Sequence, residues 1–314
     1  MTTGWESEIY AFTLEHGQAS NRVRENLVLR LYSGEDAAEK AAHEFRAIQR
    51  LHDSGYPVPQ VYVLEREPAA LGQPFILMEK IEGQVMGAQL NAASEAVQAE
   101  MISKLCELLA QLHQLDWQPF ADEADRIRFQ NPYAFIDEWL GRTQHFLEQF
   151  PDSGFRSVVD WLENHRALVP CQTPVPTHND FHPGNVLLQI DGSPSVIDWT
   201  GFRVSDARFD LGWSLLLADA YLGSAWRATI LREYEFFSSA QVEAIDYFIV
   251  FACVRRLIDV TTSLLHGAEE MGMRADAVAA MRQDKPAHER VYRLLLDRTG
   301  LRIKAVDEML AALD

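Results

Sequence analysis

The chain has 314 residues, of which 47% are hydrophobic and 24% are charged. This composition excludes a largely disordered protein and predicts a globular one with about two domains. The net charge of −18 at pH 7 makes nucleic acid an unfavourable partner, because phosphate backbones carry charge of the same sign.

Cysteine use and hydropathy predict a cytoplasmic location. Cys106, Cys171 and Cys253 are far apart in the sequence, so no disulfide framework is expected, as is usual in a reducing compartment. Residues 1–8 lack the basic start and the apolar run of a signal peptide. The best candidate for a membrane span, residues 247–254, is far shorter than the roughly 20 apolar residues that a span needs, so we expect no membrane association.

The first part of the chain is rich in β-type sequence. Residues 8–15 and 26–32 are apolar runs with partial alternation, separated by a turn that begins near Gly17. This pattern predicts a β-hairpin.

A helix and two strands are expected next. Asp36 and Glu39 have the spacing of a capping box, so a helix is predicted to begin there and to end before Gly55. Residues 58–64 and 75–78 are apolar runs separated by a proline- and glycine-containing loop, which predicts two further strands.

After Gly83 the apolar residues recur at helical spacing. Helices are predicted at 94–115, 133–150, 155–168 and from 206 to the end. Prolines at 170, 174 and 176 indicate a linker, and one short hairpin follows at 186–190 and 195–197. The sequence therefore predicts an α+β protein with a β-rich N-terminal domain, residues 1–82, and a mainly helical domain, residues 83–314.

The polar residues that indicate chemistry lie in residues 177–199, THNDFHPGNVLLQIDGSPSVIDW. Asp180 precedes the first strand of the predicted hairpin, Asn185 stands at the start of that strand, and Asp198 follows the return strand. The two strands of a hairpin run side by side, so these groups are expected at one end of it. Phosphoryl transfer needs such a set: one carboxylate that orients the attacking hydroxyl, and a carboxylate and an amide oxygen that hold Mg²⁺.

The same segment resembles the aminoglycoside phosphotransferase family, which shares the protein-kinase fold. Residues 178–180 (HND) are similar to the kinase HRD triplet, and Asp180 and Asn185 have the spacing D-x-x-x-x-N. Residues 197–199 (IDW) stand where kinases have DFG.

The resemblance implies a protein-kinase-like two-lobe fold and an activity. The expected activity is a kinase that uses ATP or GTP with Mg²⁺ and transfers the γ-phosphoryl group to a hydroxyl of a small molecule. It implies that Asp180 is the catalytic residue, that Asn185 and Asp198 are metal ligands, and that Asp210 braces the catalytic loop.

The resemblance extends to the nucleotide-binding part. Arg30 stands at the position of the phosphate-binding lysine, and Glu44 stands at the position of its ion-pair partner on the next helix. Residues 4–7 resemble a phosphate loop, and residues 75–83 resemble the hinge that faces the adenine. The cofactor-binding residues implied by this resemblance are Gly4, Ser7, Arg30, Glu44, Glu79 and Ile81.

Two departures from the family pattern leave a first alternative open. Arg30 keeps the positive charge of a lysine but presents a planar fork of donors. The phosphate loop has one glycine, Gly4, in place of GxGxxG. Both features are compatible with a pseudokinase that binds nucleotide without turnover.

A metal-dependent hydrolase is the second alternative. His178, Asp180 and His182 have the spacing H-x-D-x-H, which could bind Zn²⁺ in an extended segment. Pro183 favours a loop instead, and this alternative leaves Asp198 without a role.

The acceptor is expected to be a small molecule with a hydroxyl. Few residues separate Asp198 from Asp206, too few for the activation segment of a protein kinase. The acidic C-terminal part could attract a cationic acceptor, or it could serve solubility alone. Tryptophans could enclose an amine or belong to the core; the candidates are Trp199, Trp213 and Trp226. The resemblance suggests aminoglycosides, macrolides, choline, homoserine or amino sugars.

Overall fold

The computed structural model describes residues 2–3, 7–17, 22–67, 71–267 and 277–313. The chain forms two compact units, one of Met1–Met101 with His182–Phe202 and one of Ile102–Phe181 with Arg203–Asp314. The boundary at residue 82 between two domains stays a prediction.

The bounds of the elements are as follows. The strands are β1 (Thr2–Thr3), β2 (Ser7–His16), β3 (Val23–Tyr32), β4 (Val61–Glu65), β5 (Phe75–Glu79), β6 (Gly83–Val85), β7 (Val175–Thr177), β8 (Val186–Gln189), β9 (Pro194–Val196) and β10 (Arg203–Ser205). The helices are α1 (Ala37–Asp53), α2 (Met86–Ala92), α3 (Glu95–His113), α4 (Glu123–Arg128), α5 (Ala134–Gln149), α6 (Arg156–His165), α7 (Ala207–Tyr221), α8 (Ser224–Ser238), α9 (Ile245–His266), α10 (Ala277–Gln283), α11 (Lys285–Thr299) and α12 (Lys304–Ala312).

The first unit contains an antiparallel sheet in the order β1-β2-β3-β5-β4. The predicted hairpin is confirmed as β2 and β3, with Ser7 opposite Tyr32 and His16 opposite Val23. Helix α1 packs on this sheet, and the core between them includes Tyr32, Ala41 and Ile76. This packing places β3 in the middle of the sheet and next to α1.

The start of α1 was predicted correctly, but its capping was not. Asp36 occupies the N-cap position, yet its carboxylate accepts no capping hydrogen bond. It forms an ion pair with Lys40 one turn along instead (Nζ–Oδ1 3.1 Å). The helix ends at Asp53, and Gly55 follows with φ +78°, a conformation that favours glycine.

A second, three-stranded sheet in the first unit carries the predicted β8–β9 hairpin, with β6 paired to β8. Val186 lies opposite Val196, which brings the start of β8 to the end of β9. Strand β6 is three residues long and exposed, so it has no hydrophobic pattern that the sequence could reveal.

The second unit is mainly helical, and its core is rich in aromatic residues. Phe209 of α7 packs edge-to-face on Phe248 and Phe251 of α9, with ring centroids 5.0 and 5.3 Å apart. Gly212 allows α7 to approach α9 closely, because a Cβ at this position would lie 2.9 Å from the carbonyl oxygen of Phe248. Asp210, on the same helix as Gly212, is thereby held in the core.

The segment predicted as a linker contains a strand. Residues 175–177 form β7, which pairs with β10, and Arg203 lies opposite Thr177. Pro176 is tolerated because a two-stranded ribbon has free edges. Among the helices in the described ranges, none combines the length and the apolar character that crossing a bilayer requires.

Candidate active site

In the first unit, one buried arginine connects two carboxylates. Arg30 Nη1 on β3 donates to Glu44 Oε1 on α1 (2.9 Å), and its Nη2 donates to Asp198 Oδ1 after β9 (3.0 Å). Arg30 and Glu44 are only 7% and 1% exposed. The structure thus brings together three residues that the sequence analysis assigned to nucleotide and metal binding.

Glu44 is surrounded by donors. Tyr32 Oη donates to its Oε2 (2.5 Å), and the amide of Trp199 donates to its Oε1 (3.2 Å). Burial raises the pKa of Glu44, and the positive charge of Arg30 opposes that shift. Tyr32 was not predicted from the sequence, although its position two residues after Arg30 places both side chains on the same face of β3.

Asp198 has a left-handed backbone conformation, which is uncommon outside glycine although Asp and Asn adopt it more readily than other residues. Its φ of 67° lies in the left-handed region, as does that of Asn179 (64°). Among the described residues, positive φ at a non-glycine residue is otherwise found only at Ser239 and Ala244. Such strain persists where the surroundings fix it, and it is concentrated at functional sites.

The first unit offers oxygen ligands that fit a divalent cation. The amide of Ile197 donates to the carbonyl oxygen of Asn185 (2.9 Å), so Asn185 and Asp198 lie at the same end of the hairpin. Arg30 and Thr200 both use Oδ1 of Asp198, and neither contact uses Oδ2. A carboxylate and an amide oxygen are hard donors of the kind that Mg²⁺ prefers.

In the second unit, Asp210 holds the backbone of the loop that carries Asp180. Asp210 is fully buried, and its two oxygens accept from the amides of His178 (2.6 Å) and Asn179 (2.5 Å). This is the bracing contact that the family resemblance implied. His113 joins the same network, since its Nε2 lies 3.3 Å from Asp210 Oδ2 and its Nδ1 lies 2.8 Å from the hydroxyl of Tyr234.

Trp213 fixes the side chain of Asp180. Its Nε1 donates to Asp180 Oδ1 (2.7 Å), one turn after Asp210 on α7. The guanidinium of Arg255 lies 4.1 Å from the centroid of the Trp213 ring, and its Nη1 donates to the carbonyl oxygen of Asn179 (2.6 Å). Trp213 and Trp199 were candidates for a box around an amine, but both are buried.

The two histidines of the H-x-D-x-H pattern accept hydrogen bonds from backbone amides of the loop that contains them. His178 Nδ1 accepts from the amide of Asp180 (3.3 Å), and His182 Nδ1 accepts from the amide of Gly184 (3.0 Å). Across the described ranges, no group of three or more His, Cys, Asp or Glu residues could hold a metal ion. The zinc alternative therefore has no site in that part of the chain.

The remaining nucleotide-binding predictions fall on the phosphate loop and the hinge. Gly4 lies outside the described residues, and Ser7 begins β2 without a described side chain. The amide of Glu79 donates to the carbonyl oxygen of Gln60 (2.8 Å), which leaves it no proton for a ligand. The amide of Ile81 donates to no residue that the structure describes.

The fold and these contacts agree with a family comparison. The model of the phosphotransferase enzyme family, APH, matches residues 2–245. The chain belongs to this family. The predicted resemblance, the kinase-like α+β fold and the assignment as a phosphotransferase are thereby confirmed.

Solved structures share the fold of this phosphotransferase. A candidate aminoglycoside phosphotransferase from Ralstonia eutropha JMP134 has a TM-score of 0.66 at 18% identity, over 92% of this chain and 93% of that one. The ternary complex of APH(2″)-IIa with streptomycin and ATP has a TM-score of 0.54 at 18% identity, over 85% and 93%. Plasmodium vivax ethanolamine kinase has a TM-score of 0.57 at 13% identity, over 90% and 81%. Identities this low show the fold alone.

Curated relatives match a shorter part of the phosphotransferase. Acyl-CoA dehydrogenase family member 10 of Mus musculus is 25% identical over 185 residues, which are 57% of this chain and 17% of that protein. The chain spans about a fifth of the length of the curated relatives it matches. The activity of those whole proteins therefore does not transfer to this chain.

Proposed function

We propose that this phosphotransferase is a small-molecule kinase that transfers the γ-phosphoryl group of ATP or GTP to an acceptor hydroxyl. The observation that carries the proposal is the bridge that Arg30 makes between Glu44 and Asp198, at 2.9 and 3.0 Å. Kinases need a cation fixed by a helix carboxylate together with a metal-binding aspartate. A buried cation between two carboxylates meets both needs.

Arg30 and Glu44 form the nucleotide-binding part of this proposal. Glu44 accepts hydrogen bonds from Arg30, Tyr32 and the amide of Trp199, and these three donors fix the position of its carboxylate. A guanidinium suits this role, because its planar fork of donors matches the oxygens of a phosphate. The base of the nucleotide is proposed to meet the backbone at Ile81, which does not by itself distinguish adenine from guanine.

Asn185 and Asp198 are proposed as the ligands of Mg²⁺. When bound there, Mg²⁺ supplies positive charge that offsets the charge of the phosphates. The protein's part is to hold the two ligands in place, through the Ile197–Asn185 hydrogen bond and the contacts of Asp198 with Arg30 and Thr200.

Asp180 is proposed to orient the acceptor hydroxyl and to take its proton. Trp213 holds Oδ1 of this carboxylate, so the direction of the other oxygen is fixed as well. The transition state of phosphoryl transfer is loose, so most of the rate comes from positioning and charge neutralisation. A rigid carboxylate contributes to positioning.

The acceptor is proposed to be a small alcohol, as in the relatives that bind streptomycin or are named as an ethanolamine kinase. The acidic net charge favours a cationic acceptor at long range. The charge nearest the loop that carries Asp180 is positive, because Arg255 donates to the carbonyl oxygen of Asn179. The proposed location is cytoplasmic.

The test is release of nucleoside diphosphate with Mg²⁺ against a panel of aminoglycosides, choline, ethanolamine, homoserine, amino sugars and hydroxy acids. Asp198→Asn should lower acceptor-stimulated release by about 10²-fold or more, because it removes the metal carboxylate. Asp191→Asn is the matched control, since Asp191 lies in the turn of the same hairpin and, within the described part of the chain, its side chain hydrogen-bonds Ser193 alone.

Two outcomes would contradict the proposal. Full release in Asp198→Asn would mean that Asp198 is not a metal ligand. Nucleotide binding without release by any acceptor would support the pseudokinase alternative.

A further inference from the structure

Three arginines of the second unit lie around a single tryptophan, Trp139 of α5, and a fourth is joined to them through a shared carboxylate. The guanidinium of Arg203 lies 5.2 Å from the centroid of the Trp139 ring, and those of Arg142 and Arg255 both lie 5.9 Å from it. Arg128 shares a carboxylate with two of them. We call Arg128, Arg142, Arg203 and Arg255 the arginine cluster.

The cluster has fewer carboxylates than arginines. Glu138 serves three of them, through Arg128 (2.6 Å), Arg142 (2.6 Å) and the longer contact with Arg203 (3.4 Å). Arg128 also pairs with Asp125. Arg255 forms no ion pair with any residue in the described ranges. Four positive charges therefore face two negative ones.

This excess is costly to the folded protein. Burial lowers the pKa of Arg203 to about 10, and repulsion by Arg142 adds to that effect. Arg203 Nε and Trp139 Nε1 are buried donors without an acceptor among the described residues. Buried donors are almost always satisfied in folded proteins, so an arrangement like this calls for an explanation.

Three other arginines of the same unit are each matched by one carboxylate. Arg166 pairs with Asp137, Arg208 with Asp206, and Arg227 with Asp219. Arg166 and Asp137 are the useful comparison, because Asp137 is the residue before Glu138 on α5. A purely structural role would be served by such pairs, so the unmatched charge points to a ligand that is negatively charged.

The cluster is adjacent to the catalytic loop. Arg203 lies opposite Thr177 in the β7–β10 ribbon, and Thr177 precedes Asp180 by three residues in the sequence. Arg255 donates to the carbonyl oxygen of Asn179 and stacks on Trp213, whose indole N–H holds Asp180. An acceptor held at Asp180 would therefore lie on the same side of the unit as Arg255, which is joined to Asp180 through Trp213.

We infer that the arginine cluster binds an anionic group of the acceptor, a carboxylate or a phosphate, while Asp180 engages its hydroxyl. This inference rests on the proposed kinase function and names its substrate class. Guanidinium groups suit both anions, because their planar fork matches two oxygens of either. Three members are reachable: the side chains of Arg142, Arg128 and Arg203 are 55%, 43% and 27% exposed.

The first experiment measures diphosphate release with acceptors matched in size but not in charge. Ethanolamine, ethylene glycol and glycolate form one series; glycerol, glycerate and glycerol phosphate form the other and separate carboxylate from phosphate. The anionic members should give the higher kcat/KM. Arg142→Gln and Arg203→Gln should each raise the KM for those members by roughly 10- to 100-fold with little change in kcat, because a charge-assisted contact is lost.

Arg166→Gln is the matched control, since it breaks an ion pair on the neighbouring residue of α5 and leaves the cluster intact. It should leave the KM for every acceptor unchanged. An equal or higher kcat/KM for ethanolamine, with no effect of Arg142→Gln, would overturn the inference and leave the kinase proposal standing.

A binding measurement separates this inference from the proposed function. Glycerate or glycerol phosphate should raise the thermal unfolding midpoint more than glycerol does at matched ionic strength, and Arg142→Gln should abolish the difference. Stabilisation that depends on Arg142 without release by any acceptor would keep the anion site and overturn the kinase proposal. Equal stabilisation of the parent protein and Arg142→Gln would overturn the anion site itself.

Discussion

At the scale of single residues, Arg30 shows how a departure from the family pattern can be accommodated. Two of its nitrogen atoms reach two different carboxylates, on Glu44 and Asp198, at hydrogen-bonding distance. A planar fork makes both contacts in one rigid geometry, whereas an ammonium is a compact point charge on a flexible stem. The arginine is therefore compatible with a working site.

Arg30→Lys is expected to keep the fold and to weaken nucleotide binding. The positive charge remains beside Glu44, but the fork that reaches both carboxylates is lost. The KM for ATP should rise by roughly tenfold while kcat changes less. Arg30→Ala should in addition lower the free energy of unfolding by about 3–5 kcal/mol, because it leaves Glu44 buried without its cation. An unchanged KM in Arg30→Lys would remove Arg30 from the nucleotide site.

Asp180→Asn tests the acceptor side. It should lower kcat by about 10²–10⁴, the usual contribution of a positioned acid–base group. The amide cannot take the proton of the hydroxyl, although it has the same shape. The thermal unfolding midpoint should change little, since Asp180 is only partly buried. A kcat within a factor of about two would contradict the assignment.

Trp213→Phe tests whether Trp213 positions Asp180. Phenylalanine keeps an aromatic ring for Arg255 and removes the indole N–H, a hydrogen bond to a carboxylate worth about 1.5–3 kcal/mol. We expect kcat to fall by roughly 10- to 100-fold while the KM for ATP stays constant. Trp226→Phe on α8 is the control and should change neither kcat nor the KM for ATP. A fall in stability with kcat unchanged would make Trp213 a core residue only.

At the scale of elements, the strands and helices with a clear apolar pattern were predicted from the sequence. The β2–β3 hairpin, α1, α3, α5 and the β8–β9 hairpin lie close to the predicted bounds, because each has an apolar pattern of sufficient length. Five short elements were missed, β6, β7, β10, α2 and α4, whereas the equally short β8 and β9 were found through the turn residues between them. Formation of the missed elements depends on partners distant in the sequence.

The close packing of α7 against α9 requires a residue without a side chain at position 212. Gly212 lies between Asp210 and Trp213, the two residues of α7 that hold the catalytic loop. Arg255, which stacks on Trp213, comes from α9. The distance between these helices therefore sets the geometry of the loop.

Gly212→Ala should lower both stability and activity. The added Cβ would lie 2.9 Å from the carbonyl oxygen of Phe248, so α7 and α9 must move apart, at a cost of about 1–3 kcal/mol. Gly141→Ala on α5 is the matched control, because no atom lies within 4 Å of its added Cβ and alanine favours a helix. Circular dichroism melts should give opposite shifts for the two variants. A stabilised Gly212→Ala would contradict the close approach of the helices.

At the scale of the whole molecule, the candidate site was predictable to different degrees. Asp180, Asn185 and Asp198 fall within one short segment, so their spacing alone indicated the chemistry. Tyr32 and Trp213 act through contacts that arise only on folding. The arginine cluster was invisible for the same reason, and the net charge of −18 gave no hint of it.

Stability should depend on pH through His288 of α11. Burial lowers the pKa of this imidazole, which is fully buried and whose Nε2 bonds the carbonyl oxygen of Met281 (2.8 Å). The unfolded chain binds a proton below its ordinary pKa of 6.5, whereas the folded protein resists it. The stabilisation is thus present above pH 6.5 and is lost as pH falls. Urea unfolding from pH 8 to 5 should show the loss, and His288→Gln should reduce it; an unchanged slope would exclude His288 as its source.

The central claim is transfer of a phosphoryl group to a small alcohol. Its most direct test is ATP labelled at the γ-phosphorus, incubated with Mg²⁺ and the most active acceptor of the panel, with separation of labelled acceptor from inorganic phosphate. The account predicts label on the acceptor hydroxyl, abolished in Asp180→Asn and Asp198→Asn. Label found only in inorganic phosphate, or transfer that both variants retain, would contradict it.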